Sequence, residues 1–127
     1  MSKNLLDLLS LSLFPKFKLG LVHNLLEETN NDVKKLCDSI SNKYESKEIV
    51  STKIIAEAII EKTKLLGIHA IDYMDPYYPK LLKNIPTPPL VIYAKGNVEL
   101  LKLQNKTISI VGTRQPDKYG VDNTKYF

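Results

Sequence analysis

The sequence predicts an α/β chain in two parts: an all-helical first half, residues 1–66, and the opening strands of an unfinished α/β domain, residues 67–127. Two observations carry this. Six of the seven prolines lie at or beyond Pro76, and no glycine occurs between Gly20 and Gly67, so the first half lacks helix breakers after Gly20. Beyond Gly67 the apolar spacing shifts from that of helices to the alternation and short runs of strands.

The helices follow in order. Leu5, Leu8, Leu9 and Ser12 repeat with helical spacing, and Leu21, Val22, Leu25 and Leu26 do so again. Asn31 is placed to cap a third helix over Asp32–Tyr44, with Val33, Leu36, Cys37 and Ile40 on its apolar side. Thr52 is placed to cap a fourth, which carries Ile54, Ile55, Ala58, Ile59 and Ile60 and runs to Leu66. Gly67 should end it in a left-handed conformation. Four or five such helices make a compact domain.

In the second half, "GIHAIDYMD" alternates Ile68, Ala70 and Ile71 with polar residues, as a short strand does. "DPYYPKLLKNIPTPP" reads as a proline-punctuated turn around a short helix. Pro79 would take its first position, with Leu81, Leu82 and Ile85 facing inward. Leu90–Ala94 is a continuous apolar strand ended by Lys95-Gly96. Asn97 can cap the helical turn "VELLKL", and Thr107–Val111 is another buried-type strand. Strand, short helix and strand in succession predict a parallel sheet, the start of a doubly wound one. "VDNTKYF" shows no periodicity. About 60 residues cannot cover both faces of such a sheet, which points to truncation, a partner, or support from the helical half.

Composition bounds the function classes. Charged residues at 25% and hydrophobic ones at 43% are ordinary globular values. The lone Cys37 cannot form an internal disulfide, which fits a reducing compartment. The apolar run Leu8–Phe14 is too short to span a bilayer and has no small-residue cleavage site, so a cytoplasmic protein without membrane association is expected. The net charge of +4 is uneven. Residues 1–75 hold 10 Lys and Arg against 11 Asp and Glu, and residues 76–127 hold 8 against 3. A basic second half suits a polyanion, because phosphate neutralisation supplies most non-specific affinity, though it also serves plain solubility.

The chemistry concentrates in "TISIVGTRQPDKYG", Thr107–Gly120. A strand ending at Val111-Gly112 delivers the next loop to the carboxyl edge of a sheet, where α/β proteins bind ligands. Gly112 allows a sharp turn and close ligand approach. Thr113 adds a hydroxyl and an N–H, and the planar fork of Arg114 can grip a phosphate at two points. Pro116 stiffens the loop. Lys118 and Tyr119 add a cation and an aromatic face suited to single-stranded nucleic acid. The stretch is neither G-x-G-x-x-G nor G-x-x-x-x-G-K-[ST], so no dinucleotide or ATP is expected. Taken alone, it also describes an ordinary turn with a surface arginine.

In context it says more. "YPKLLKNIPTPPLVIYAKGNVELL", Tyr78–Leu101, followed by "ISIVGTRQPDKYG", Ile108–Gly120, resembles the DprA/Smf family of DNA-processing proteins. The order Tyr-Pro, Leu, Ile-Pro, Pro-Pro, hydrophobic-Tyr strand, Lys-Gly, Ile-Val-Gly-Thr-Arg, Pro and Tyr-Gly matches the family over about 43 residues, and the combination is specific. The resemblance implies an extended Rossmann-like domain after an N-terminal SAM-like or helix-hairpin-helix-like region. It implies a single-stranded DNA-binding recombination mediator of natural transformation that loads a RecA-type recombinase, not an enzyme, with no cofactor. Gly112, Thr113 and Arg114, joined by Lys118, become its nucleic-acid contacts. Full-length relatives form homodimers. The family's long helix, Ser-Gly-x-Ala segment and distal contacts do not follow Gly120, so the resemblance implies a truncated N-terminal fragment with impaired activity. The alternatives are a Rossmann-like nucleotide hydrolase and an inactive remnant or helical protein-interaction module.

Other residues weigh toward structure. His23 and His69 have no ligand-spaced partners, so no metal is expected. Asp72 and Asp75 could pair for acid–base work, but Asp75 before Pro76 reads as a turn former. Tyr77, Tyr78 and Tyr93 could stack on bases or pack between the two halves. Lys34-Lys35, after Glu27-Glu28, reads as a solvated helix face. Ser109 lacks the context of a nucleophile.

Overall fold

Leucine crowds nearly every side of the first helix, and that decides where it sits. In the computed structural model, which describes residues 2–15, 18–42, 46–103 and 111–126, helix α1 (Leu5–Ser12) buries Leu5, Leu8, Leu9, Ser10 and Leu11. A helix apolar all round has no face to offer water and belongs inside. On one side Leu8 and Leu11 join Val22 and Leu26 of α2 (Leu19–Glu28), and Val33, Leu36 and Ile40 of α3 (Val33–Ser41). On the other, Leu5 and Leu9 meet Ala56 and Ile60 of α4 (Ser46–Leu65). α1 is thus the wall shared by two apolar clusters.

The α2–α3 corner lacks glycine and uses asparagine instead. Asn30 and Asn31 take positive φ, 52° and 60°. Asn31 N–H donates to Leu26 O at 2.7 Å and Asn30 N–H to Glu27 O at 3.0 Å, the paired bonds that close a helix C-terminus. With Asn31 committed to that turn, the expected cap moves one residue on. Asp32 Oδ1 accepts from the N–H groups of Lys34 and Lys35, at 3.1 and 3.2 Å. The expected helical end, residues 43–44, lies outside the described residues.

α4 begins at Ser46, so Thr52 is not its cap. Hydroxyls inside a helix can satisfy themselves on the preceding turn. Ser51 donates to Glu48 O at 2.7 Å and Thr52 to Ile49 O at 3.0 Å, and the helix continues through both. Thr52 Oγ1 also lies 2.9 Å from Ser10 Oγ in the buried contact with α1. The single Thr52 hydroxyl proton is spent on Ile49, so Ser10 is the donor. The inward face of α4 is Thr52, Ala56, Ile60 and Thr63, whereas Ile54, Ile55 and Ala58 are exposed, contrary to the expected apolar side. Small and hydroxyl side chains let α1 and α4 approach closely, which pure hydrophobicity does not reveal. Gly67, at φ +64°, ends the helix as expected.

Strands β1 (Ile68–Asp72) and β2 (Val91–Lys95) pair antiparallel, with Ile68 opposite Lys95, Ala70 opposite Tyr93 and Asp72 opposite Val91. This corrects the parallel sheet expected from sequence. A parallel crossover needs a helix long enough to cover a sheet face, and the connection holds only the one-turn α5 (Lys80–Lys83). Two aspartate turns start the reversal: Asp72 Oδ1 accepts from Met74 N–H and Asp75 Oδ1 from Tyr77 N–H, both at 2.9 Å. Tyr73 N–H donates to Leu90 O at 2.8 Å, extending the ladder. Pro79 precedes α5 in extended conformation, not as its first helical residue, and Leu81 and Ile85 are 53% and 43% exposed, so they do not face inward.

The sheet is mounted on the helices: Leu90 is buried among Leu8, Val22 and Leu36, with Tyr73, Met74 and Val91 packed alongside. Asn97 caps a 3-10 helix, Val98–Lys102, by accepting from Glu99 N–H at 3.1 Å, as expected. The final helix, α6 (Lys118–Tyr126), stands where no periodicity was legible. No helix among the described residues is long and apolar enough to cross a membrane.

Candidate nucleic-acid interface

The loop from Val111 to Asp117 leads into α6. The strand expected over Thr107–Val111 lies, except for its last residue, outside the described residues, and Val111 itself is irregular and 91% exposed. Every residue from Val111 to Tyr119 is exposed. Gly112 keeps φ out of the left-handed region, and a Cβ there would meet nothing within 4 Å. Glycine is therefore not demanded by the chain's own turn at this point; it leaves room beside the backbone. Thr113 Oγ1 accepts from Gln115 N–H at 3.2 Å, which tightens the loop and leaves the hydroxyl proton free to be given away.

Asp117 then organises the entry to α6. Its Oδ1 accepts from Gly120 N–H at 2.8 Å, and its carbonyl accepts from Val121 N–H at 3.1 Å. An aspartate at this position satisfies an otherwise orphaned N–H and complements the positive end of the helix. Farther along, Thr124 Oγ1 donates to Gly120 O and Asn123 Nδ2 to Tyr119 O, each at 2.8 Å. Between loop and helix lies an open groove of about 830 Å³, lined by Gly112, Thr113, Asp117, Gly120, Lys125 and their neighbours. Of the expected contacts, the structure brings Gly112 and Thr113 into this groove and leaves Arg114 and Lys118 exposed outside its lining. Sequence reasoning missed Asp117. Its signal was a capping residue just before a segment free of breakers save Gly120.

Much of the remaining basic and aromatic surface is already engaged internally. Lys102 Nζ sits 4.0 Å from the Tyr77 ring centroid and 3.0 Å from Glu99, whose carboxylate also accepts from the Tyr77 hydroxyl. The Tyr77 hydrogen bond, with help from Lys102, holds the Glu99 carboxyl below its ordinary range. Lys83 Nζ lies 4.5 Å from the Tyr73 centroid. Burial lowers its pKa, opposed by the charge of Asp72. Tyr78 is buried, donates to Pro89 O at 2.7 Å, and is pushed up to about 12 by burial and then by Tyr73. Tyr78 therefore packs. Tyr93 keeps half its surface exposed.

The other chemical candidates are structural. Asp72 and Asp75 are turn formers, and Asp72 is fully buried with no hydrogen-bond partner for Oδ2 among the described residues. His23 Nε2 lies 2.6 Å from Pro88 O, which requires the proton on Nε2, and its ring meets Tyr73 edge-on at 5.0 Å. Desolvation, then the charge of Asp7, pushes the Cys37 thiol up to about 11, which suppresses the reactive thiolate. No group of three or more His, Cys, Asp or Glu among the described residues is arranged to hold a metal ion.

Comparison with known proteins meets the same region. Residues 69–127 match the family described as DNA recombination-mediator protein A. A stretch of 54 residues is 46% identical to the DNA processing protein DprA of Bacillus subtilis (strain 168), covering 42% of this chain and 18% of that protein. That part of the chain matches the DprA/Smf family. A second DprA/Smf relative, Protein Smf of Synechocystis sp. (strain ATCC 27184 / PCC 6803 / Kazusa), is 44% identical over 48 residues, 36% of this chain and 12% of its own length. The matches thus span less than a fifth of either relative. No solved structure matches the chain. The DprA/Smf match begins within β1 and takes in β2, the 112–118 loop and α6.

Proposed function

We propose that this chain carries the single-stranded DNA-binding element of a DNA-processing recombination mediator acting in the cytoplasm during DNA uptake. The reading treats residues 1–66 as a SAM-like, helix-hairpin-helix-like domain and residues 67–127 as the start of an extended Rossmann-like domain. Its partners would be single-stranded DNA, a RecA-type recombinase and, in the full-length assembly, a second copy of the protein. No catalysis, cofactor or metal is assigned.

The observation that carries the reading is that the family match runs through an exposed loop holding Gly112, Thr113 and Arg114 and into Lys118 at the start of α6. Each has a part it can play. Gly112 leaves space for a phosphate against the backbone, and Thr113 keeps a proton to donate to it. Arg114 can take two phosphate oxygens in its fork, and Lys118 supplies a second charge. Contacts of this kind position a strand without reading its sequence.

Fluorescence anisotropy with labelled oligo-dT tests this on the 127-residue chain. Binding should weaken as salt rises, and Arg114→Ala should lower the dependence of log K on log salt by about one phosphate contact. Absence of binding at low salt, or an unchanged slope in the variant, refutes the assignment.

A further inference from the structure

We infer that Asp117 sets the affinity of the 112–118 loop for nucleic acid, by holding the positive end of α6 with its own carboxylate and so excluding a phosphate from the groove. This rests on the single-stranded DNA reading of the loop.

The helix N-terminus beside Gly112 and Thr113 would otherwise offer backbone N–H groups and a positive dipole end to an anion. Here Asp117 Oδ1 takes the Gly120 N–H at 2.8 Å. Asp117 and Lys125 are the only charged residues in the groove lining among the described residues. Arg114 and Lys118, the cations of the motif, stand outside that lining. A backbone phosphate drawn by these cations therefore meets a fixed negative charge if it moves inward toward Gly120. The strand is confined to the outer, Arg114 side of the loop. Lys118, in the first turn of α6, gains from the same carboxylate, because a cation there is otherwise opposed by the dipole.

The side chain thus has two separable roles: capping α6 and repelling phosphate. Asn and Ser cap about as well as Asp and carry no charge, so Asp117→Asn and Asp117→Ser remove the second role and keep the first. Both are tested in the full 127-residue chain by anisotropy with oligo-dT across a salt series, beside wild type and Arg114→Ala, with helix content followed by circular dichroism. The expected result is binding about threefold to tenfold tighter for both Asp117 variants at low salt, with unchanged helix content. The gain should shrink as salt screens the repulsion. If wild type binds and Arg114→Ala weakens it, but the Asp117 variants bind no tighter, the inference falls and the DNA reading stands. A gain in only one variant, or one that persists at high salt, also overturns it. If wild type and both Asp117 variants all fail to bind at low salt, both ideas fall.

Discussion

The region around α1 and the arm from Val111 to Tyr126 obey opposite rules. Around α1, side chains from the helices and from the start of the β2 strand converge on one apolar wall, and a buried polar pair, Ser10 and Thr52, joins residues far apart in the chain. In the arm the side-chain hydrogen bonds of Thr113, Asp117, Asn123 and Thr124 reach no farther than four residues, and no residue of α6 is buried. The first region derives its order from long-range burial and is intolerant of change. The second is held by local capping, so its exposed residues can change with little effect on the fold. A motif exposed to solvent and spared structural duty is free to answer to a ligand.

Substitutions sharpen this contrast. Leu8→Ala, which empties the centre of the larger cluster, should have the greatest effect, lowering stability by about 2–5 kcal/mol in urea titration. A loss below about 1 kcal/mol would mean that α1 is not the shared wall. Thr52→Val keeps the shape but leaves the Ser10 hydroxyl without its acceptor, at a cost of about 1–3 kcal/mol. Adding Ser10→Ala should recover much of that, and strict additivity of the two would deny the hydrogen bond.

Tyr78→Phe should cost about 1 kcal/mol at neutral pH through the lost bond to Pro89. It also carries a pH signature. The folded-state pKa of Tyr78 is raised from 10.0 to about 12, so its contribution is fully present below pH 10 and lost as pH rises toward 12. Cys37, raised from 9.0 to about 11, adds a loss that begins near pH 9. Urea midpoints of wild type should therefore fall across pH 9–12, and Tyr78→Phe should remove the upper part of that fall. An identical profile in the variant would place the titration elsewhere. Smallest of all, Arg114→Ala should move stability by less than about 0.5 kcal/mol while weakening oligo-dT binding. A large stability loss would show that the arm is packed more tightly than its exposure indicates.

The same division explains what was legible in the sequence. Local chemistry was: Gly67 ends α4 with positive φ, and Asn97 caps the 3-10 helix. The buried side of α3, Val33, Leu36 and Ile40, followed from spacing. What depended on the competition between distant parts was hidden. Thr52 has the chemistry of a cap, and only the approach of α1 turns it into a buried partner of Ser10. Nothing in the β-branched and apolar runs distinguishes a parallel pair from an antiparallel one; the shortness of α5 and the paired aspartate turns decide it. The Gly-Thr-Arg motif was visible, whereas Asp117 as the cap of α6 was obscured by its place in a basic, proline-containing loop.

Leu90 gives this architecture a temporal dimension. It completes the cluster around Leu8, yet the ribosome makes it much later: at usual elongation rates, on the order of 10 s separate the two residues. During that interval α1, apolar on nearly all sides, has no strand to close over it, and the nascent helices present a sticky surface. Birth of the chain therefore includes a vulnerable pause, and yield in cells should respond to translation speed and chaperone supply more than the final stability alone would suggest.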